Sequence, residues 1–376
     1  MHGLCTGCAR VVQTLFAAFQ PVYMAAMPQR FDTLAAVLDH GFDSLIDVRS
    51  PAEFAEDHIP GAVSLPVLSD AERARVGTIY TQESPFRARK IGAALVARNA
   101  ATHIEGPLAD HDGSWRPLVY CWRGGQRSGS FSSILQQIGW RAETVDGGYQ
   151  SYRRLVNDLL YEAELPSRVI LLDGNTGTAK TDLLARLSQR GVQTIDLEGL
   201  ANHRGSVLGA LPGGQPSQKA FESRLAAALC RLDPARPLVV EAESNKVGQR
   251  VIPPSLWHPM RTAPRLTVKA PLDARAEYLG TAYADMIDNP EELAARMAPL
   301  HRLRGRKAVA RWDNLLKSRD FTGLARALMA EHYDPAYARS RRDDVHEDLA
   351  EFRSDTLDAA ARDRLADRIA AHLSQS

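Results

Sequence analysis

One cysteine at the mouth of a glycine-rich loop, in the run VYCWRGGQRS over residues 119–128, carries the most reactive chemistry in this chain. Five residues separate Cys121 from Arg127, and Ser128 leads into a helical pattern from Ser130 to Ile138. A loop of this kind can turn its N–H groups, with the positive end of the following helix, toward one anionic centre. A thiol held there is favoured as the nucleophilic thiolate, with Arg123 and Arg127 adding positive charge. The same spacing suits a cysteine phosphatase, although that chemistry wants an activating histidine where Tyr120 stands.

A second anion loop follows in GNTGTAKT over residues 174–181, between the apolar run VILLD (169–173) and the helical pattern DLLARLS (182–188). Gly174 and Gly177 free the backbone to cradle phosphates, Lys180 can reach a terminal phosphate, and Thr181 can hold magnesium. Ala179 stands where the usual pattern has glycine. Its methyl group is tolerated if the local backbone is helical and otherwise crowds the anion. Asp196, His203, Arg204 and Ser206 fall in the polar stretch DLEGLANHRGS (196–206) and are expected to line a binding surface. Glu241 and Glu243 close a buried strand, and either orient water, magnesium or a substrate group or pair with Lys246 and Arg250.

Between His301 and Asp320 there are seven Lys or Arg residues against two Asp. Arg304, Arg306, Lys307 and Arg311 on this helical segment suit the phosphates of a nucleic acid, or form an ordinary solvated face. Tyr333 and Tyr337, in the break EHYDPAY (331–337), either stack on bases or pin the last helices to the domain.

The 376 residues can form two domains and a small third, and the net charge of +1 restricts any nucleic-acid surface to a local patch. Four scattered cysteines make no disulfide framework and fit a reducing compartment. Cys5 and Cys8 form one CxxC, which His2 could complement for metal, but the expectation is an N-terminal extension. Val11 to Met27 is interrupted by Gln13, Gln20 and Pro21, so neither a membrane span nor a signal peptide is expected, and the location is expected to be cytoplasmic.

Changes of period give the elements that position these residues. A helix over 31–40, a strand at Ser44 to Val48, a strand over 63–66, a helix near 86–99, the strand before Cys121 and a strand at Glu143 to Val145 make one α/β unit. Gly147, Gly148 and Tyr149 turn the chain into a helix from Ser151 to Glu162. Leu165 and Pro166 mark a border, and strands at 169–173, 192–195 and 238–241 predict a second, parallel sheet.

At this point the chain resembles the tRNA 2-selenouridine synthases. The resemblance is carried by DVR (47–49), EF (53–54), HIPG (58–61), CWRGGQRS (121–128), GGY (147–149), GNTGTAKT (174–181), DLEGL (196–200), HRGS (203–206) and YDPAY (333–337), and spans roughly residues 29 to 340. It implies an α/β chain with a rhodanese-like domain (29–165), a P-loop NTPase-like parallel-sheet domain (166–300) and a basic helical C-terminal region (301–376), after an extension of 28 residues. It also implies replacement of sulfur by selenium at C2 of the wobble 2-thiouridine of tRNA(Lys), tRNA(Glu) and tRNA(Gln), by way of an S-geranyl intermediate. Geranyl diphosphate and selenophosphate would be co-substrates, with magnesium a candidate and no tightly bound cofactor. The implied roles are selenium or sulfur transfer at Cys121 with Arg123 and Arg127, and the donor diphosphate at Gly174, Gly177, Lys180 and Thr181, with Asp196, Glu241 and Glu243 beside it. tRNA would contact Arg204, the basic segment and Tyr333 or Tyr337. A monomer is expected, with transfer from selenophosphate synthetase a further expectation. The rivals are a P-loop kinase or NTPase fused to a sulfurtransferase or phosphatase-like domain, and a non-enzymatic RNA-binding or persulfide-carrier protein.

Overall fold

The computed structural model describes residues 28–340 and 346–375, which fall into two compact units divided between Leu155 and Val156. The CxxC and the apolar stretch before Pro28 lie outside the described residues. The division falls ten residues before the border read from Leu165 and Pro166.

In the first unit, β1 (Ser44–Asp47), β2 (Val63–Ser64), β3 (Pro117–Tyr120) and β4 (Glu143–Thr144) form an all-parallel sheet in the order β2-β1-β3-β4. Both faces of β3 are buried, as its unbroken apolar run requires. Ile46, Val119, Phe131 and Leu135 join one core. Between β2 and β3 stand two long helices, Asp70–Gln82 and Pro85–Glu105. The sequence reading gave only part of the second. Ser69 and Glu72 form a capping box at the start of the first, which buries only Ile79 and so carries little apolar periodicity.

In the second unit, β5 (Val169–Asp173), β6 (Thr194–Ile195), β7 (Leu238–Glu241), β10 (Arg265–Lys269) and β11 (Asp348–Arg353) make a parallel sheet ordered β11-β10-β5-β7-β6. A short antiparallel pair, β8 (Lys246–Val247) with β9 (Arg250–Val251), stands apart from it. The chain leaves β5 toward one side of the sheet and returns through β10 on the other, so the carboxyl end of β5 is a switch point where ligands bind. Residues after 301 are not helical throughout: they include β11, paired with β10, and the helix Ala359–Leu373, whose Leu365 and Ile369 enter the sheet's core. A separate apolar cluster around Trp312 holds the helices Pro290–His301, Arg306–Lys317 and Phe321–Leu328 together.

Candidate functional site

In the first unit Cys121 follows β3 directly and is only 3% exposed. Its loop is locked backbone to backbone by the following glycine turn. Tyr149 N–H donates to the Cys121 carbonyl at 2.8 Å, and Gln150 N–H to that of Trp122 at 3.0 Å. Gly148 has φ +56, and a Cβ there would fall on the Cys121 carbonyl and 2.5 Å from Gly124 N. No other residue fits that approach. Below the loop, buried Arg49 forks onto Asp47, donates to the Asp57 carbonyl at 2.6 Å and lies 4.0 Å from the Tyr149 ring centroid. Tyr149 in turn donates its hydroxyl to Asp57 at 2.7 Å. DVR and GGY are therefore the scaffold that fixes the cysteine.

Burial pushes the Cys121 thiol up, but the Ser128 hydroxyl and N–H, the charge of Arg127 and the N–H of Arg123 outweigh it, and the thiol sits below its ordinary value. The Ser128 hydroxyl donates to Sγ at 3.2 Å. Ser128 is a residue the sequence reading treated only as a helix start. Arg127 is tied to Glu53 at 2.8 Å, while Arg123 is exposed. Tyr120, in the position of a phosphatase's histidine, is fully buried, accepts Ile59 N–H at 3.2 Å and is held neutral by burial, which removes it as a base.

In the second unit the loop from Gly174 to Ala179 joins β5 to the helix Lys180–Gln189. Gly174 N–H donates to Asp173 at 2.6 Å, and a Cβ at Gly174 would lie 2.5 Å from Thr178 Oγ1 and 2.8 Å from the Val268 carbonyl. Ala179 has φ 61 and ψ 31. It is left-handed, not in the right-handed helical conformation that would make its methyl group harmless, and the strain is of order 1–2 kcal/mol. The loop is clamped from the side by Arg275, which forks onto Asp334 at 2.8–2.9 Å and donates to the Thr176 carbonyl at 3.1 Å. Asn175 also donates to Asp334, at 3.1 Å. Neither Arg275 nor Asp334 was expected from sequence, although Asp334 sits inside YDPAY.

Lys180 Nζ donates to the Gly174 carbonyl at 2.9 Å and stands 6.0 Å from the Tyr337 ring centroid. Burial works against its charge, yet Tyr337, Glu243, Glu198 and Asp173 together raise its pKa, so it stays a cation. Thr181 donates to Glu198 at 2.7 Å. Burial, then Glu198, push Glu243 up to about 8, and burial raises Glu198 as well. Glu241 lies beneath them, wholly buried, accepting Leu197 N–H at 3.1 Å. Asp196 caps the helix Leu197–Leu200 through Gly199 N–H at 2.7 Å. Glu198, central to this group, was quoted in a motif but missed as a site residue. Thr181 and Glu198 offer hard oxygens that suit magnesium, whose other positions water and phosphate would fill. Among the described residues no group of three His, Cys, Asp or Glu side chains is arranged to hold a metal alone.

Lys180, Thr181, Asp196, Glu198 and Glu243, but not Glu241, line a cleft of about 710 Å³ that also includes Arg204, Ser206, Tyr283, Tyr333 and Tyr337. Arg204 lies 4.5 Å from the Tyr283 ring centroid, and Ser206 lines the cleft with Tyr283 and Tyr333. Tyr283 and Tyr333 also line a second, much smaller cavity of about 70 Å³, whose other walls are apolar side chains such as Met286, Leu293, Phe321 and Leu324. The nucleic-acid candidates thus divide. Arg204, Tyr333 and Tyr337 belong to the cleft, whereas Arg306, Lys307 and Arg311 are exposed on the helix Arg306–Lys317. Arg304 is partly turned inward, donating to the His332 carbonyl at 3.1 Å.

A lowered cysteine in a rhodanese-type loop and a phosphate loop beside an acidic, aromatic cleft define a two-domain group-transfer enzyme. Comparison with known proteins gives the same division: residues 31–155 match the rhodanese-like domain family and residues 167–304 the tRNA 2-selenouridine synthase AAA domain family. Among curated relatives, the tRNA 2-selenouridine synthase of Chromohalobacter salexigens is 37% identical over 78% of this chain and 86% of its own length. That of Aeromonas salmonicida is 38% identical over 69% of each chain, and that of Alcanivorax borkumensis 34% identical over 78% and 88%. The chain belongs to the tRNA 2-selenouridine synthase family, tRNA-modifying transferases. Among the described residues no helix is long and apolar enough to cross a membrane.

Proposed function

We propose that this protein exchanges sulfur for selenium at C2 of the wobble 2-thiouridine of tRNA(Lys), tRNA(Glu) and tRNA(Gln), in two steps divided between its two anion loops. The observation that carries this reading is that the cleft at the phosphate loop, about 710 Å³, is walled by tyrosines and aliphatic side chains such as Val207, Leu211, Leu279 and Ala282 as well as by its charged groups. The rings and aliphatic side chains of that cleft leave room for a ten-carbon hydrocarbon beside the phosphates, as geranyl diphosphate requires.

In the first step the C2 sulfur attacks C1 of the geranyl group, the C1–O bond breaks, and diphosphate leaves with the electron pair while N3 gives up its proton. Lys180 and the loop N–H groups take the growing negative charge of the leaving group. Thr181 and Glu198 would hold magnesium, which supplies further charge to the diphosphate. In the second step the selenium of selenophosphate adds to C2 and the C2–S bond breaks. Geranylthiol departs, and water then cleaves the Se–P bond to release phosphate. Alkylation makes this exchange feasible, because a thiol leaves far more readily than the sulfur of an unmodified thiocarbonyl. Cys121 serves the selenium step, with Arg123 and Arg127 near the anionic donor, while Arg306, Lys307 and Arg311 bind tRNA phosphates.

The test is incubation of 2-thiouridine tRNA with geranyl diphosphate and selenophosphate, followed by mass identification of the wobble nucleoside. The expected product is 2-selenouridine, with S-geranyl-2-thiouridine when selenophosphate is withheld. An unchanged nucleoside, or ATP turnover dependent on tRNA without use of the prenyl donor, overturns the reading.

A further inference from the structure

We infer that a groove between the helices Asp70–Gln82 and Pro85–Glu105 seats a nucleotide of the tRNA anticodon loop next to the wobble uridine, with its base on Tyr80 and its phosphate at Arg89. This rests on the reading that selenium transfer takes place at Cys121, and it adds a tRNA contact in the cysteine unit.

The groove, about 290 Å³, has buried Leu68 and Val96 as its floor, with Tyr80 and Arg89 at its rim. Gln126 and Arg127 close it from the helix Gln126–Ile138. Arg127 is the arginine of the cysteine loop, and Ser128, next to it in the chain, donates to Cys121 Sγ at 3.2 Å. Two consecutive residues thus join the groove to the reactive atom. When the wobble base is at the thiol, a neighbouring nucleotide is the part of the RNA that comes to this groove.

Charge and ring together select the occupant. Between Ser84 and Ile104 there are four Lys or Arg residues and no Asp or Glu. Arg87 pairs with Glu83, whereas Arg89 makes no ion pair among the described residues, which leaves its charge for a phosphate. Tyr80 is 54% exposed, and base stacking needs only such an open ring face. A ring and a guanidinium at one groove are the pair that holds a single-stranded nucleotide. The RNA backbone matches the unbalanced positive charge of the helix, and the anticodon loop is the part of the family's substrate that must approach this thiol.

The experiment measures the affinity of the full chain for a tRNA(Lys) carrying 2-thiouridine at the wobble position, by fluorescence anisotropy over a range of salt. Tyr80→Ala should weaken binding about tenfold, and Tyr80→Phe should keep it. Arg89→Ala should weaken binding and flatten the slope of log affinity against log salt by about one. An abasic nucleotide on one side of the wobble uridine should weaken binding to the intact chain and cost nothing further in Tyr80→Ala. Both side chains are exposed, so the variants should fold, which an unchanged denaturant midpoint reports. Full affinity and an unchanged salt slope in Tyr80→Ala and Arg89→Ala would overturn the groove while leaving the selenium-transfer reading standing. Loss of 2-selenouridine with tRNA affinity intact would overturn it as well, and would make the groove a seat for a protein donor. If the intact chain fails to bind this tRNA, both readings fall.

Discussion

The two anion loops are held by opposite means. Around Cys121 the loop is fixed by main chain against main chain: Gly148 lies against the Cys121 carbonyl, and the tyrosine and glutamine after it donate their N–H groups to the loop. Around Lys180 the loop is fixed by charged side chains distant in sequence, Arg275 and Asp334, and faces a set of carboxylates raised by burial. The first arrangement makes one atom reactive. The second keeps one buried lysine ionised among carboxyl groups whose own charge burial disfavours. A thiolate nucleophile needs a small, rigid nest, and a departing diphosphate needs a larger field whose charges are already in place.

The largest test of this division is reciprocal. Cys121→Ser should abolish 2-selenouridine while S-geranyl-2-thiouridine still accumulates, and Lys180→Met should lower geranylation about 10²- to 10³-fold. In the second variant a supplied S-geranyl tRNA should still be converted to the selenium product. Product masses from both reactions decide it: if either variant lost both steps equally while remaining folded, the separation of roles would be wrong.

A smaller effect sharpens the account of the thiol. Ser128 donates to Sγ and so favours the charged form, which means that Ser128→Ala should raise the thiolate midpoint. The rise is read from ultraviolet thiolate absorbance, and the thiolate fraction at neutral pH should fall with it. An unmoved midpoint would shift the credit to Arg127 and the loop amides.

The smallest effect concerns Ala179. Glycine there removes left-handed strain of about 1–2 kcal/mol but adds about 0.4–1 kcal/mol of freedom to the unfolded chain. Ala179→Gly should thus stabilise the protein by about 1 kcal/mol or less, measured by denaturant unfolding. Destabilisation would mean that the methyl group packs usefully where it sits.

Both loops were legible in the sequence because each is a contiguous string with its strand before it and its helix after it. So were the parallel sheets, from unbroken apolar runs such as VILLD, all five residues of which are buried. What escaped was brought together by folding. Arg275 lies 59 positions from Asp334, and neither stands out in its own neighbourhood. Tyr283, at the junction of two helices, belongs to no motif, yet it lines both the phosphate cleft and the small apolar cavity. Glu198 stood only as one letter of DLEGL, and only the fold puts it beside Thr181 and Glu243. β11 was missed because its run DLAEFR has only one fully buried position.

That last strand bears on how the protein is made. Arg186, in the helix that leaves the phosphate loop, is paired with Asp363, 177 positions later, and β11 pairs directly with β10. The hydrogen bonds described around the cysteine loop join residues between 47 and 150, so they can form as soon as that stretch has left the ribosome. The sheet behind the phosphate loop must wait for the segment around 348–373, and a closure across so long a stretch of chain is slow. During synthesis the thiol site should be finished first, leaving the backbone N–H and C=O groups along β10 unpaired until its neighbour arrives.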